Sequence, residues 1–260
     1  MITFSNLTKS YRKRKPAVDD FSLSVDVPIF GFLGQNGAGK TTIMKMIVGL
    51  LKPSSGTIMI DGLPSASLEA KQKIGYMPET PYFYERMKGI EFLQFCDELY
   101  GGAHSAKASP VHNQPNAKLS HYEKLLKKVG IFDARNFEIR TYSKGMRQRL
   151  GFAQALVNDP QYLFLDEPLD GLDPIGRREM KEVMLGLKRE GRKIFLNTHI
   201  LADVEEICDE VGIIHAGKLL YAGSVQKFCA GKPLEERFME VIEAHEQQNK
   251  HHAVAVAANR

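Results

Sequence analysis

The first part of the chain alternates. Ile2, Phe4 and Leu7, and then Phe21, Leu23 and Val25, set apolar side chains against polar neighbours. That period of two predicts half-buried antiparallel strands over residues 1 to about 33. The alternation then gives way to unbroken apolar runs. Ile29-Phe30-Gly31-Phe32-Leu33 and Tyr162-Leu163-Phe164-Leu165 have the pattern of strands covered on both faces, as in a parallel sheet. Thr57 to Ile60, with Asp61-Gly62 behind it as a hairpin signal, predicts another strand. Lys73 to Met77, Lys193 to Asn197 and Val211 to His215 predict three more. Between about Ile90 and Val157 the period becomes helical. Ile90, Phe92, Leu93, Phe95 and Leu99 mark one helix, and Tyr122, Leu125, Leu126 and Val129 mark a second. Met180, Val183, Met184 and Leu187 share one face of a helix that Asp173-Pro174 starts and Gly191 stops. Phe238, Val241 and Ile242 mark a last amphipathic helix, and residues from about Glu246 onward read as a frayed tail. The whole is an α/β pattern with a helical insertion.

Composition narrows this only a little. With 43% hydrophobic and 25% charged residues the 260-residue chain has the profile of an ordinary globular protein able to bury a core. A net charge of +4 is too mild to argue for nucleic acid. The run Arg12-Lys13-Arg14-Lys15 is either a solvated loop or a basic patch. Cys96, Cys208 and Cys229 lie far apart, without metal or redox spacing, which fits a reducing compartment. The first residues lack a signal-peptide core, and the longest apolar stretch, near 43–51 and broken by Lys45, is too short to span a bilayer. A membrane role is therefore expected to come through a partner. The segment 101–117 is rich in Gly, Ser, Pro, Asn and His and is expected to be a surface loop. The pair His251-His252 is either part of the tail or a pair that binds metal.

The chemistry is concentrated in a few short strings. Gly34-Gln35-Asn36-Gly37-Ala38-Gly39-Lys40-Thr41-Thr42 fits the phosphate-binding pattern G-x-x-x-x-G-K-[ST]. Its glycines let successive backbone N–H groups converge on an anion at the start of the helix expected over 42–51. Lys40 reaches the outer phosphates in this pattern, and the Thr41 hydroxyl ligates Mg²⁺. The buried run 162–165 leads into Asp166-Glu167-Pro168. Adjacent carboxylates at the end of a buried strand are costly unless a cation or a reaction uses them. Asp166 suits Mg²⁺, and Glu167, directed elsewhere by strand alternation, suits a water that attacks a phosphate. Asn197-Thr198-His199 closes another apolar strand at what should be the same sheet edge. His199 is there either a structural histidine or a contact to the outer phosphate or the attacking water. Finally Ser143, an N-cap, and Gly145, with an open amide, begin a second anion-binding helix start. One outer phosphate seldom needs two such starts, so Ser143 and Gly145 are expected to serve a nucleotide held by another copy.

Taken together, these motifs resemble the ATP-binding cassette (ABC) ATPase family over about residues 1 to 242. Gly34 to Thr42 is similar to Walker A, and Tyr142-Ser143-Lys144-Gly145-Met146-Arg147-Gln148-Arg149-Leu150 to the family signature. Tyr162 to Glu167 resembles Walker B with its carboxylate, Gly171-Leu172-Asp173 the D-loop, and His199 the switch histidine. Tyr11 falls where the family stacks a ring on adenine. Within the family, the segments around Ile74, Tyr142 and Asn197 most resemble single-cassette subunits of ABC-2-type bacterial transporters, often exporters. The resemblance implies a P-loop NTPase fold with a mainly parallel core sheet, N-terminal antiparallel strands and a helical subdomain at about 79–158, followed by a tail at 243–260. It implies ATP and Mg²⁺ as ligands, catalysis by Glu167 and His199, and metal held by Thr41 and Asp166. It implies a second ABC ATPase subunit, alike or paralogous, that closes on ATP with Asp173 working across the seam, and a polytopic membrane permease at the cytoplasmic face, without nucleic acid. The groove near Pro81 to Lys88, with Tyr82, Phe83 and Tyr84, would receive that permease, unless these rings are core. Two positions depart from the family's usual pattern. Lys144 replaces a glycine, and Glu79 stands where a glutamine usually faces Mg²⁺ and water. The alternative readings are a soluble ABC ATPase acting on nucleic acid or ribosomes, and a regulatory module with little catalysis.

Overall fold

A computed structural model describes residues 1–11, 16–101 and 120–258, with side chains as far as residue 248. The basic run 12–15, nearly all of the expected loop 101–117 and the side chains of His251 and His252 lie outside the described residues. In chain order the elements are β1 (Ile2–Lys9), β2 (Val18–Val25), β3 (Ile29–Leu33), α1 (Lys40–Ile47), β4 (Ser55–Ile60), β5 (Leu63–Pro64), α2 (Leu68–Gln72) and β6 (Ile74–Met77). Then come α3 (Gly89–Leu99), α4 (His121–Lys128), α5 (Lys144–Ala155), β7 (Tyr162–Asp166), α6 (Pro174–Arg189) and β8 (Lys193–Asn197). The chain ends with α7 (Leu201–Ile207), β9 (Glu210–His215), β10 (Lys218–Ser224), α8 (Val225–Cys229) and α9 (Leu234–Ala258). They form two compact units, Met1–Pro64 with Asn197–Arg260, and Ser65–Leu196.

In the first unit an antiparallel sheet has the order β2-β1-β4-β5. The alternation read from residues 1 to 33 is realised as a register that pairs Phe4 with Leu23 and Leu7 with Phe21. Phe21 takes Phe4 and Phe32 edge-on at 5.3 and 5.9 Å between ring centroids, a favoured aromatic geometry. The β4–β5 turn places Asp61 at φ 52° and Gly62 at φ 77°, the left-handed pair that matches the twist of a tight hairpin. All five residues of β3 are buried. It pairs in parallel with β9, and β9 pairs antiparallel with β10. Beside these strands Leu234, Phe238 and Ile242 of α9 pack with Val204 of α7 and Val225 and Phe228 of α8.

Two boundaries differ from expectation. The helix after the P-loop ends at Ile47 rather than Leu51, because Gly49 turns left-handed at φ 75°. The last helix does not fray near Glu246 but continues to Ala258. After Pro233 no proline or glycine interrupts it, and its final residues are largely alanine and valine. And α7, α8 and β10, which carry no long periodic pattern, were not anticipated.

In the second unit β6, β7 and β8 are neighbours in the order β8-β7-β6. β6 and β7 run parallel, with Tyr76 opposite Phe164 and Met77 opposite Leu165. Every residue of β7 is buried, and Phe164 meets Phe195 at 5.9 Å. Helices α3, α4 and α5 pack on one another through fully buried Leu93, Leu126 and Leu150. Helix α6 starts as its sequence requires. The Asp173 carboxylate accepts from Gly176 N at 2.7 Å and Pro174 stands in the first turn.

Candidate functional site

The first unit carries the P-loop. The buried strand β3 delivers the chain to Gly34. Gln35, Asn36 and Gly37 are exposed, and Ala38, Gly39 and Lys40 turn inward. Gly39 is the N-cap of α1 with φ 111°. A Cβ there would lie 2.5 Å from Ala17 O, so only glycine both adopts the left-handed turn and clears the backbone behind it. The loop is braced from the rear, since Gly217 N donates to Ala38 O at 3.0 Å. The Lys40 ammonium donates to Gly34 O at 2.6 Å and to Gln35 O at 3.3 Å, which keeps the positive charge against the loop. Thr41 and Thr42 sit half-buried in the first turn of α1, which holds no acidic residue. The first turn of α1 therefore brings no carboxylate of its own to the loop, and the residue set fits a phosphate ester. In the same unit Tyr11 is 48% exposed, with the Lys9 ammonium 5.5 Å from its ring centre. One face of an aromatic ring is thus already in a cation–π contact. His199 lies exposed just beyond β8.

The second unit carries the acids. Asp166 ends β7 and is only 1% exposed. Glu167 follows it with φ 50°. Strand alternation therefore does not direct Glu167. The chain has left the strand, and a left-handed backbone, uncommon for a side chain of this kind, sets where the carboxylate goes. Glu79 is exposed just beyond β6. Burial, with the charges of Asp166 and Glu79 close by, pushes the Tyr76 phenol up to about 12. These two carboxylates therefore share one neighbourhood, around a tyrosine that keeps its proton. A buried aspartate with a second carboxylate near it is a donor set that suits a hard divalent cation.

The signature segment lies in the same unit. The Ser143 hydroxyl accepts from Met146 N at 3.2 Å and caps α5, while its own proton stays available to donate. Gly145 lies close to the D-loop, since a Cβ there would come 3.4 Å from Leu172 Cδ2. Lys144 points outward, 70% exposed, and pairs with Asp170 at 2.8 Å. Its side chain therefore does not crowd the helix start. Asp173 caps α6 in addition to any role in the D-loop. Of the three neighbouring rings, Phe83 is core, packed on Phe92 at 5.2 Å, while Tyr82 and Tyr84 are 84% and 53% exposed.

The profile described as ABC transporter matches residues 19–170, from β2 through the P-loop and the signature to Asp170. That is more than half of the chain. The chain belongs to the ABC transporter ATP-binding family. A solved structure of an ATP-binding subunit of an ABC transporter superposes on this ABC chain with a TM-score of 0.79 and 29% identity, covering 93% of this chain and 99% of that one. The α/β fold expected from the motifs is thus the ABC ATPase fold. The ABC transporter ATP-binding protein NatA of Bacillus subtilis is 36% identical over 91% of this chain and 94% of its own. The bacitracin transport ATP-binding protein BcrA of Bacillus licheniformis is 40% identical over 85% of this chain and 68% of its own. An uncharacterized ABC transporter ATP-binding protein of Nostoc sp. is 46% identical over 78% of this chain. The alignment spans 58% of the length of that relative, and the same share of a second from Synechocystis sp..

Sequence reasoning passed over Gln148, Asp170 and Tyr76. Gln148 stood inside the quoted signature without a role. Its spacing of four from Lys144, one helical turn, was the available signal. Tyr76 had none, since a strand tyrosine is ordinarily core.

Proposed function

We propose that this chain is the ATP-binding and ATP-hydrolysing subunit of a membrane ABC transporter of the export type. The observation that carries the reading is that the P-loop leads into a helix whose first turn holds no acidic residue; the buried Asp166 and the left-handed Glu167 of the second unit support it separately. The family membership and the relative named for bacitracin transport support the same conclusion. In this reading Gly34 to Thr42 hold the phosphates through backbone N–H groups, Lys40 offsets their outer charge, and the exposed ring of Tyr11 stacks on adenine. Thr41 and Asp166 would hold Mg²⁺, with Glu79 beside them. When bound, the ion neutralises charge on the phosphate oxygens. Glu167 accepts a proton from the attacking water, and His199 orients that water or the outer phosphate by hydrogen bonding. Positioning and electrostatic stabilisation supply most of the acceleration in phosphoryl transfer.

A second ATPase subunit, either another copy or a paralogue, completes the site. Ser143 and Gly145 of each chain close on the nucleotide of the other, and Asp173 works at the same seam. The helical region at about 79–158 then carries opening and closing to a polytopic permease, with the exposed Tyr82 and Tyr84 as the contact. With a permease as partner the expected position is peripheral, on the cytoplasmic face; no helix among the described residues is long and apolar enough to cross a membrane. Purification from native membranes in mild detergent tests this directly. A polytopic membrane protein recovered in stoichiometric amount supports the transporter motor. Recovery with ribosomes or DNA instead would overturn it in favour of a soluble ABC ATPase.

A further inference from the structure

The turn that carries Glu167 is gripped at two points by one face of α5. The Glu167 carbonyl accepts two hydrogen bonds, from Gln148 Nε2 at 2.8 Å and from Asp170 N at 3.1 Å. The first comes from a side chain only 6% exposed. The second closes the turn on itself. The other end of that turn is held by the same helix, since Asp170 Oδ2 pairs with Lys144 Nζ at 2.8 Å. Lys144 and Gln148 are four residues apart, hence neighbours on the helix surface. The stem of Lys144 also covers the next residue. A Cβ on Gly171, which has φ 70°, would lie 2.5 Å from Lys144 Cε. So a closed ring of contacts runs from Gln148 to Glu167, through the turn to Asp170, and back to Lys144.

We propose that Gln148 and Lys144 are positioning residues that hold the Glu167–Asp170 turn, and thereby fix the Glu167 carboxylate for attack by water. The proposal rests on the reading of Glu167 as the proton acceptor. Its physical content is specific. The gripped residue is the one non-glycine residue between β7 and α6 with a left-handed backbone among the described residues. Such a conformation persists only where the surroundings over-determine it. Gln148 supplies a buried donor to its carbonyl, where the geometry is least free to relax. Lys144 supplies an exposed pair, which stiffens the far end more weakly. The lysine that departs from the usual signature glycine thereby gains a function.

The test uses the full chain with ATP and Mg²⁺, reading steady-state phosphate release and nucleotide affinity. Gln148→Leu should lower kcat by about 10- to 100-fold with KM for ATP little changed, because a small displacement of a reacting group is costly while binding is not touched. Lys144→Ala should lower kcat by only ~2- to 5-fold, as its pair is exposed. In a Glu167→Gln background Gln148→Leu should cause no further loss, since the group it positions is already gone. A purely structural role predicts equal proportional losses in both backgrounds, and that result overturns the proposal. So does a wild-type kcat for Gln148→Leu. If Gln148→Leu fails to melt cooperatively, Gln148→Met, of similar length and without a donor, carries the same comparison. Wild-type turnover by Glu167→Gln alone would overturn the reading of Glu167 itself. Loss there with none in Gln148→Leu overturns the grip alone.

Discussion

Lys40 and Tyr11 show how differently two residues of one proposed site are held. The Lys40 ammonium is buried and tied to two carbonyls of its own loop, so its position is set before any phosphate arrives. Lys40→Ala should weaken binding of ATP and of inorganic triphosphate alike, measured by calorimetry, and unchanged ATP affinity would count against the phosphate site. Tyr11 is 48% exposed, and the role proposed for its ring is stacking on adenine rather than holding phosphate. Tyr11→Ala should therefore weaken ATP more than triphosphate, and equal losses would remove it from the adenine site. Tyr76 responds to its burial and to the charges around it. Its folded value of about 12 lies above the ordinary 10.0, so the folded state holds the proton to higher pH than the unfolded chain does. The stability this contributes is complete below about pH 10 and is lost as pH rises toward 12. Denaturation midpoints measured at pH 9 and pH 11 should drop less for Tyr76→Phe than for the native chain. These residue positions were legible as types and spacings. The left-handed turn at Glu167 was not, because a backbone sign is not written in strand alternation.

At the scale of elements, legibility followed periodicity and burial. β7 and β8 were readable from unbroken apolar runs that no helix of that length would use, and α3 and α4 from apolar residues three and four apart. α6 was readable from both its ends, through Asp173-Pro174 and Gly191, whose φ of 81° stops the helix. Short elements escaped. α7 has seven residues and three of them are acidic, so its apolar burial rests on Val204, packed with α9, and on Ile207 rather than on a long stripe. β10 is an edge strand in which no residue is fully buried, so it has little alternation to read. The caps are testable here. Asp173→Ala removes the hydrogen bond to Gly176 N and should cost about 1 kcal/mol of stability, read as a lower denaturant midpoint with an unchanged slope. No change would mean that Asp173 serves the D-loop alone. In the core of β7, Phe164→Ala should cost about 3–5 kcal/mol through the cavity it leaves.

On the scale of the whole molecule, the chain builds one unit with its first 64 residues, builds a second over 65–196, and returns to the first at Asn197. The first unit contains the phosphate loop and His199, and the second contains Asp166, Glu167, Glu79 and the signature helix. The functional strings are thus scattered along the sequence in the order that made the family resemblance specific. The grip of α5 on the Glu167 turn was invisible at that level, because it joins residues 19 and 26 positions apart whose types alone suggest nothing. The central claim is that Glu167 makes this chain an ATPase. Phosphate release by the purified full chain under saturating ATP and Mg²⁺, compared with Glu167→Gln, tests it most directly. The account predicts a fall in turnover of about 10²–10⁴-fold with ATP affinity retained. Near-equal rates for the two proteins would contradict it.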